Sequence, residues 1–244
     1  MGEPWTTMLA KPKHFGNRLL GWLAAREASV LIALLLAAGA VWLFVEIAED
    51  VREGEMRATD ERLLLLLRTA GDSNDPLGPS WVEELARDVT ALGSAGILAL
   101  ITVAAAGFLV LQRKRHLALY LVAAVAGGTV VGSLLKWGFD RPRPDLVAHG
   151  QVVYTSSFPS GHSMISAVAF LTLGALLASG QMNLGLRGYL MGLAVFLTLS
   201  VGVSRVYLGV HWPTDVLAGW AAGAAWALFC WALARRLRRR GTVE

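Results

Sequence analysis

Two residues in the segment SRVYLGVHWPTD (204–215), His211 and Asp215, have the types and spacing of a nucleophile and the group that orients it. They stand four residues apart, and Pro213 between them suits the first turn of a helix. The carboxylate can therefore hold one imidazole nitrogen and leave the other free. Because a neutral imidazole with a free nitrogen can attack an electrophile, the pair predicts nucleophilic catalysis by His211.

A second histidine, His162, stands before a long apolar run in the segment SSFPSGHSM (156–164). Ser160 is predicted to be the N-cap of a helix whose first N–H groups and dipole favour an anion of the size of phosphate. Gly161 allows such an anion to approach the backbone. His162 comes from another helix than His211, and it is predicted to act as the general acid that protonates a leaving oxygen.

Cations are in excess in SRVYLGVHWPTD and in a third segment, LLKWGFDRPRPD (134–145). Taken singly, each Lys or Arg could extend to lipid headgroups, but together with two histidines they predict an anion site. Two histidines and a carboxylate could instead bind zinc, although the nearby cations would repel a divalent ion. We therefore predict no metal and no other cofactor. A serine hydrolase is disfavoured because the chain has no G-x-S-x-G turn.

The elements that position these residues are predicted to be membrane helices. Of the 244 residues, 55% are hydrophobic and only 16% are charged, which excludes an ordinary soluble domain. Six apolar runs reach the length of a span, and the fifth is the shortest and is expected to extend into its flanks. The predicted fold is an all-α, six-helix integral membrane bundle forming a single domain over 29–234, with spans at 29–48, 91–111, 117–135, 163–180, 188–203 and 216–234.

The distribution of Lys and Arg predicts the orientation of the bundle. Residues 1–28 and the basic tail 235–244 are predicted to be cytoplasmic, by the excess of cations on the inner side of membrane proteins. The acidic connection 49–90 is then outside, with short interfacial helices that either cover the site or form a linker without a role in chemistry. The motif region 136–215 presents its polar residues on the outer face of a bacterial inner membrane, and His149 is interpreted as a loop residue near it.

The segments KWGFDRPRP, PSGH and SRVYLGVHWPTD, in this order, resemble the three motifs of the type 2 phosphatidic acid phosphatase superfamily. The motif region spans about 80 residues. This resemblance implies that His211 forms a phosphohistidine, that Asp215 orients its ring and that His162 protonates the leaving group. It also implies phosphate binding by Lys136, Arg143, Ser160, Gly161 and Arg205. Arg141 is extra to the minimal motif and is expected to contact either these residues or the substrate headgroup.

The implied function is a metal-independent phosphatase for a lipid phosphate or lipid diphosphate. Its expected partners are the lipid substrate and the bilayer, without nucleic acid. Phosphatidic acid, phosphatidylglycerol phosphate and undecaprenyl diphosphate all fit the resemblance. The alternatives are a phosphotransferase with a lipid or sugar acceptor, and a lipid-phosphate binding or translocating protein without catalysis. The sequence leaves the oligomeric state and the role of 49–90 open.

Overall fold

The chain folds almost entirely into helices, as predicted. The structure is a computed structural model that describes residues 13–147 and 155–239. The predicted cytoplasmic ends fall partly outside this range, and His149 lies outside it. In chain order the elements are α1 (Lys13–Glu53), α2 (Arg57–Leu65), β1 (Arg68–Thr69), β2 (Asp72–Pro76), α3 (Ser80–Ala91), α4 (Ala95–Leu111), α5 (Arg115–Trp137), α6 (Gly161–Ser179), α7 (Leu184–Tyr207) and α8 (Pro213–Arg239).

Five of the described helices are long and apolar enough to cross a membrane. They are α5, α6, α7 and most of α1 and α8, and they contain the predicted spans one, three, four, five and six. The helix α4 forms residues 95–111 of the predicted span 91–111, and it meets α3 at an angle of 51°. Ser94 is the N-cap residue of α4, and its Oγ accepts a hydrogen bond from the Ile97 N–H at 3.3 Å. Counting the bent pair as one span gives the predicted six.

The connection 49–90 contains short helices, as expected, and also a feature that was not predicted. The helix α2 and the amphipathic helix α3 flank a small antiparallel hairpin formed by β1 and β2. Gly71 closes the hairpin with φ of 92°, a conformation that favours glycine. The connection is therefore a folded element at the end of the bundle where α5 and α7 finish.

The helix α6 is the centre of the bundle and packs against α5, α7 and α8, while α1 packs against α8. Glycines allow the close approaches. A Cβ atom at Gly128 of α5 would lie 2.9 Å from Val168 of α6, so this glycine faces the bundle interior. A Cβ atom at Gly223 of α8 would lie 2.5 Å from the Met164 carbonyl oxygen of α6. The helices α6 and α8 thus touch backbone to backbone, which fixes the relative position of the segments that precede them.

The substitution Gly223→Ala is expected to destabilise the bundle. Its methyl group would collide with backbone that cannot move as a flexible side chain can, at a cost of about 1–3 kcal/mol. Gly192→Ala on α7 is the matched control, since nothing lies within 4 Å of its Cβ position and alanine favours helix by up to ~1 kcal/mol. Thermal unfolding in detergent measures both. Equal midpoints for Gly223→Ala and the unmodified protein would contradict this packing.

Candidate active site

His211 and Asp215 form a buried pair at the junction of α7 and α8. The chain leaves α7 at Tyr207, turns at Gly209 with φ of 71°, and enters α8 at Pro213. The exposed fraction is 2% for His211 and 0% for Asp215. His211 Nδ1 lies 3.3 Å from Asp215 Oδ2, and the same oxygen accepts a hydrogen bond from the Trp212 N–H at 3.0 Å. The carboxylate thus holds one side of the imidazole ring, as the spacing predicts.

Arg143 defines the other side of that ring. Its Nη1 lies 3.1 Å from His211 Nε2 and donates to the Val210 carbonyl oxygen at 2.7 Å. A guanidinium group can only donate hydrogen bonds, so the nitrogen that faces it is the unprotonated one. His211 therefore carries its proton on Nδ1, toward Asp215, and keeps the lone pair of Nε2 on the side of Arg143.

The electrostatic surroundings keep this imidazole neutral. Burial is the main cause, and it lowers the pKa of His211 to about 4, with Arg143 acting in the same direction and Asp215 opposing it. Burial also lowers the pKa of Arg143. The guanidinium stays charged at neutral pH because the ordinary pKa of arginine is very high. A neutral ring beside a fixed cation is the state in which Nε2 can form a new bond.

The N-terminus of α6 approaches this pair from another part of the chain. Ser160 is the N-cap residue, as predicted, and its Oγ accepts hydrogen bonds from the N–H and the hydroxyl of Ser163 at 3.4 and 2.9 Å. The backbone N–H of Ser160 donates to the Asp215 carbonyl oxygen at 2.9 Å, which ties the two motifs together. The N–H groups of Gly161 and His162 belong to the first helical turn, where no preceding carbonyl is available to them.

Two further cations come from the ends of α5 and α7. Lys136 Nζ donates to the Ser156 carbonyl oxygen at 2.8 Å, and a Cβ atom at Gly161 would lie 3.4 Å from Lys136 Cε. Arg205 is buried in the last turn of α7, and its Nη1 donates to Thr90 Oγ1 at 3.3 Å. His162 follows Gly161 in the first turn of α6, at the same end of the bundle. The structure thus brings the predicted site residues to one end of the bundle.

Arg141 occupies a different position from the other cations. Its two terminal nitrogens each form an ion pair of 2.6 Å, one with Asp215 and one with Asp60 of α2. It also lies over the ring of Trp212, with 5.7 Å between the guanidinium carbon and the ring centroid. Arg141 therefore contacts the site residues, which is one of the two roles the sequence left open.

The sequence did not single out Asp60 and Thr90, which contact site residues. Asp60 is one of many acidic residues in an acidic connection, and Thr90 lies at the end of an amphipathic helix without a motif. Neither has a signal of type or spacing that separates it from its neighbours. Among the described residues, no group of three or more His, Cys, Asp or Glu side chains could hold a metal ion.

A family model described as the PAP2 superfamily matches residues 117–239, just over half of the chain. The chain therefore belongs to the PAP2 superfamily, and the resemblance based on the three motifs is confirmed. The matched region runs from α5 to α8 and contains every predicted site residue.

Individual relatives and a solved structure agree with this assignment. Phosphatidylglycerophosphatase B of Bacillus subtilis (strain 168) is 33% identical over 147 residues, which are 59% of this chain and 70% of the relative. An undecaprenyl-diphosphatase of Sulfolobus acidocaldarius is 32% identical over 126 residues, 50% of this chain and 56% of the relative. The crystal structure of a transmembrane PAP2 type phosphatidylglycerolphosphate phosphatase from Bacillus subtilis superposes with a TM-score of 0.74 at 25% identity, covering 83% of this chain and 98% of that chain.

Proposed function

We propose that this protein is a metal-independent phosphatase that removes phosphate from a lipid phosphate or lipid diphosphate through a phosphohistidine on His211. The observation that carries the proposal is the buried imidazole with Nδ1 toward Asp215 and the lone pair of Nε2 toward Arg143. The enzyme class, a phosphatase acting on lipid phosphates, is confirmed by the superfamily and by relatives named as phosphatidylglycerophosphatase and undecaprenyl-diphosphatase.

In the first step, Nε2 of His211 attacks phosphorus, the new N–P bond forms, and the P–O bond to the leaving group breaks. His162 gives its proton to the departing oxygen, so that an alcohol or a lipid monophosphate leaves. In the second step, a water molecule gives a proton back to His162 and attacks the same phosphorus. The N–P bond then breaks, and inorganic phosphate and free His211 result.

The charges of the site support a phosphate ligand. The cations Lys136, Arg141, Arg143 and Arg205 outnumber the buried carboxylates Asp60 and Asp215 by two charges. A phosphomonoester carries about −1.5 to −2 charges at neutral pH, so it would balance this excess. Fixed cations and backbone N–H groups are also suited to the charge that spreads over the equatorial oxygens in phosphoryl transfer.

The Nε donors of Arg143 and Arg205 are a second indication of an anion. Both are buried and have no hydrogen-bond partner among the described residues. Buried donors without partners are uncommon in folded proteins, and each costs free energy. The proposed phosphate group, or water in its absence, would supply the missing acceptors.

The location of the site supports a substrate that stays in the bilayer. Lys136 lies in the last turn of α5, Gly161 begins α6 and Arg205 lies in the last turn of α7, so antiparallel helices place all three at the end of the bundle that carries the connection 49–90. We propose that this end faces the outer side of a bacterial inner membrane and that both termini are cytoplasmic. We also propose the division into a cytoplasmic segment 1–28, one phosphatase domain 29–234 and a basic tail 235–244. A lipid tail could then remain between helices while its headgroup enters the site.

The test is phosphate release by purified full-length protein in detergent micelles, in the presence of a chelator. The substrates are phosphatidic acid, phosphatidylglycerol phosphate and a prenyl diphosphate, each with and without an added alcohol or sugar acceptor. Release that persists in chelator is the expected result. Loss of release in chelator, with recovery on adding a metal, would contradict the metal-independent reaction. Appearance of phosphate only on the acceptor would identify a transferase, and binding without turnover would indicate a binding or translocating protein.

A further inference from the structure

The fully buried carboxylate of Asp60 lies outside the three motifs. Its exposed fraction is 0%, and it comes from α2 in the outer connection. A buried charge is expensive unless it is paired and hydrogen-bonded, so its partners indicate why it is there. Every hydrogen bond described for this carboxylate comes from motif segments, 81 and 154 residues further along the chain.

Three donors reach the two oxygens of Asp60. Arg141 Nη2 donates to Oδ2 at 2.6 Å, the hydroxyl of Thr214 donates to the same oxygen at 2.6 Å, and the backbone N–H of Thr214 donates to Oδ1 at 3.0 Å. Thr214 lies in the first turn of α8, where a carboxylate is also favoured by the helix dipole. Asp60 therefore holds the start of α8 and the side chain of Arg141 together.

The hydrogen bonds of Arg141 and Thr214 connect Asp60 to the proposed nucleophile. Arg141 Nη1 donates to Asp215 Oδ1 at 2.6 Å and to Thr214 Oγ1 at 2.8 Å. The other oxygen of Asp215, Oδ2, is the one that faces His211 Nδ1. An unbroken chain of contacts thus runs from Asp60 through Arg141 and Asp215 to the imidazole.

We propose that Asp60 is a positioning residue for the proposed reaction, because it shares Arg141 with Asp215 and so fixes the carboxylate that orients His211. Without Asp60, both terminal nitrogens of Arg141 could turn to Asp215, in the paired geometry that guanidinium and carboxylate groups favour. That arrangement would compete with His211 for Oδ2. The carboxylate of Asp60 prevents this competition and compensates the charge of Arg141.

The experiment measures kcat and KM for phosphate release by full-length Asp60→Asn, which keeps the size of the side chain and removes its charge. The expected result is a fall in kcat of about 10- to 100-fold with little change in KM, because a misplaced nucleophile slows the chemical step. Asp75→Asn is the control, since Asp75 is an exposed acidic residue of the same connection. It is expected to keep the kcat of the unmodified protein.

A double-mutant cycle with Arg141→Lys separates positioning from a merely structural role. Lysine keeps the charge but cannot contact two carboxylates in the fork geometry of arginine. If Asp60 acts through Arg141, the double variant loses no more kcat than the more impaired single variant; multiplied losses would overturn the proposal. If Asp60→Asn does not fold, the variant Thr214→Val tests the positioning role instead. It removes the hydroxyl that donates to Asp60, at nearly constant side-chain volume. It is expected to lower kcat in the same direction, by a smaller factor.

This inference rests on the proposed function, but the two can fail separately. No phosphate release by the unmodified protein on any lipid phosphate would overturn the function, and the positioning role with it. An active protein whose folded Asp60→Asn and Thr214→Val variants keep the full kcat, or change only in KM, would overturn the positioning role alone.

Discussion

Replacing His211 by alanine is expected to abolish phosphate release, with a loss of at least about 1,000-fold in kcat. The reason is geometric as well as chemical. The ring is buried between Asp215 and Arg143, and Nε2 is the nitrogen whose lone pair can attack phosphorus. No other described imidazole has a carboxylate on one side and a guanidinium on the other. Alanine leaves the cations proposed to bind phosphate in place, so substrate affinity is expected to change far less than kcat.

The accompanying measurement is detection of the covalent intermediate. Unmodified protein mixed with phosphate-labelled lipid and quenched in alkali is expected to retain label that acid releases, which is the behaviour of a phosphoramidate bond. His211→Ala should retain none. His116→Ala is the matched control, because His116 lies at the start of α5, far along the helix from Lys136, and is not part of the site. Activity in His211→Ala, or label retained by it, would contradict the assignment of the nucleophile.

The segments that meet at the candidate site could be recognised in the sequence because their residue types and spacing are local features. His211 and Asp215 stand four residues apart on either side of the start of α8, and the local order Ser160, Gly161, His162 defines a helix N-terminus. The convergence of distant segments could also be anticipated, because successive spans alternate in direction and the motifs all follow or precede spans on one side. The predicted fold class follows from hydropathy in the same way.

The contacts that hold the site together could not be predicted from local pattern. Arg141 and Asp60 are 81 residues apart, and Arg205 and Thr90 are 115 residues apart. The fold of the connection 49–90 over the bundle decides which of its acidic residues contacts Arg141. That fold includes a hairpin, which a hydropathy pattern does not predict. The close packing at the break between α3 and α4 was not predicted for a related reason. At the break, a Cβ atom at Gly93 would lie 2.3 Å from Val201 of α7, a tertiary contact without a sequence signal.

The folded connection 49–90 also contacts the candidate site at several places. Asp60 contacts the start of α8, Thr90 contacts Arg205, and the hydroxyl of Tyr207 donates to the Leu77 carbonyl oxygen at 3.0 Å. Arg68 donates to the Tyr207 carbonyl oxygen at 2.9 Å, near the C-terminus of α7, where a cation is favoured by the helix dipole. The connection 49–90 thus contacts the chain both before and after His211, which a linker without structural role would not do.

The second large effect is expected for His162→Ala, and it depends on the leaving group. General acid catalysis contributes about 10²- to 10⁴-fold, so release from a prenyl monophosphate, whose leaving group is an alcohol, should fall by this factor. A prenyl diphosphate with the same tail is the matched substrate, since its leaving group is a phosphate that needs no such help. The first turnover on the diphosphate should therefore remain fast in the variant.

The same variant separates the two halves of the reaction, because His162 must also take a proton from the attacking water. On the diphosphate, His162→Ala is expected to give a burst of lipid monophosphate close to one per protein molecule, followed by slow turnover and accumulation of the phosphohistidine. Rapid-quench measurement of lipid monophosphate and inorganic phosphate distinguishes these phases. Equal losses on the monophosphate and the diphosphate in the first turnover would contradict the role of general acid. They would indicate instead that His162 helps to bind the phosphate, as its position in the first turn of α6 beside Gly161 also permits.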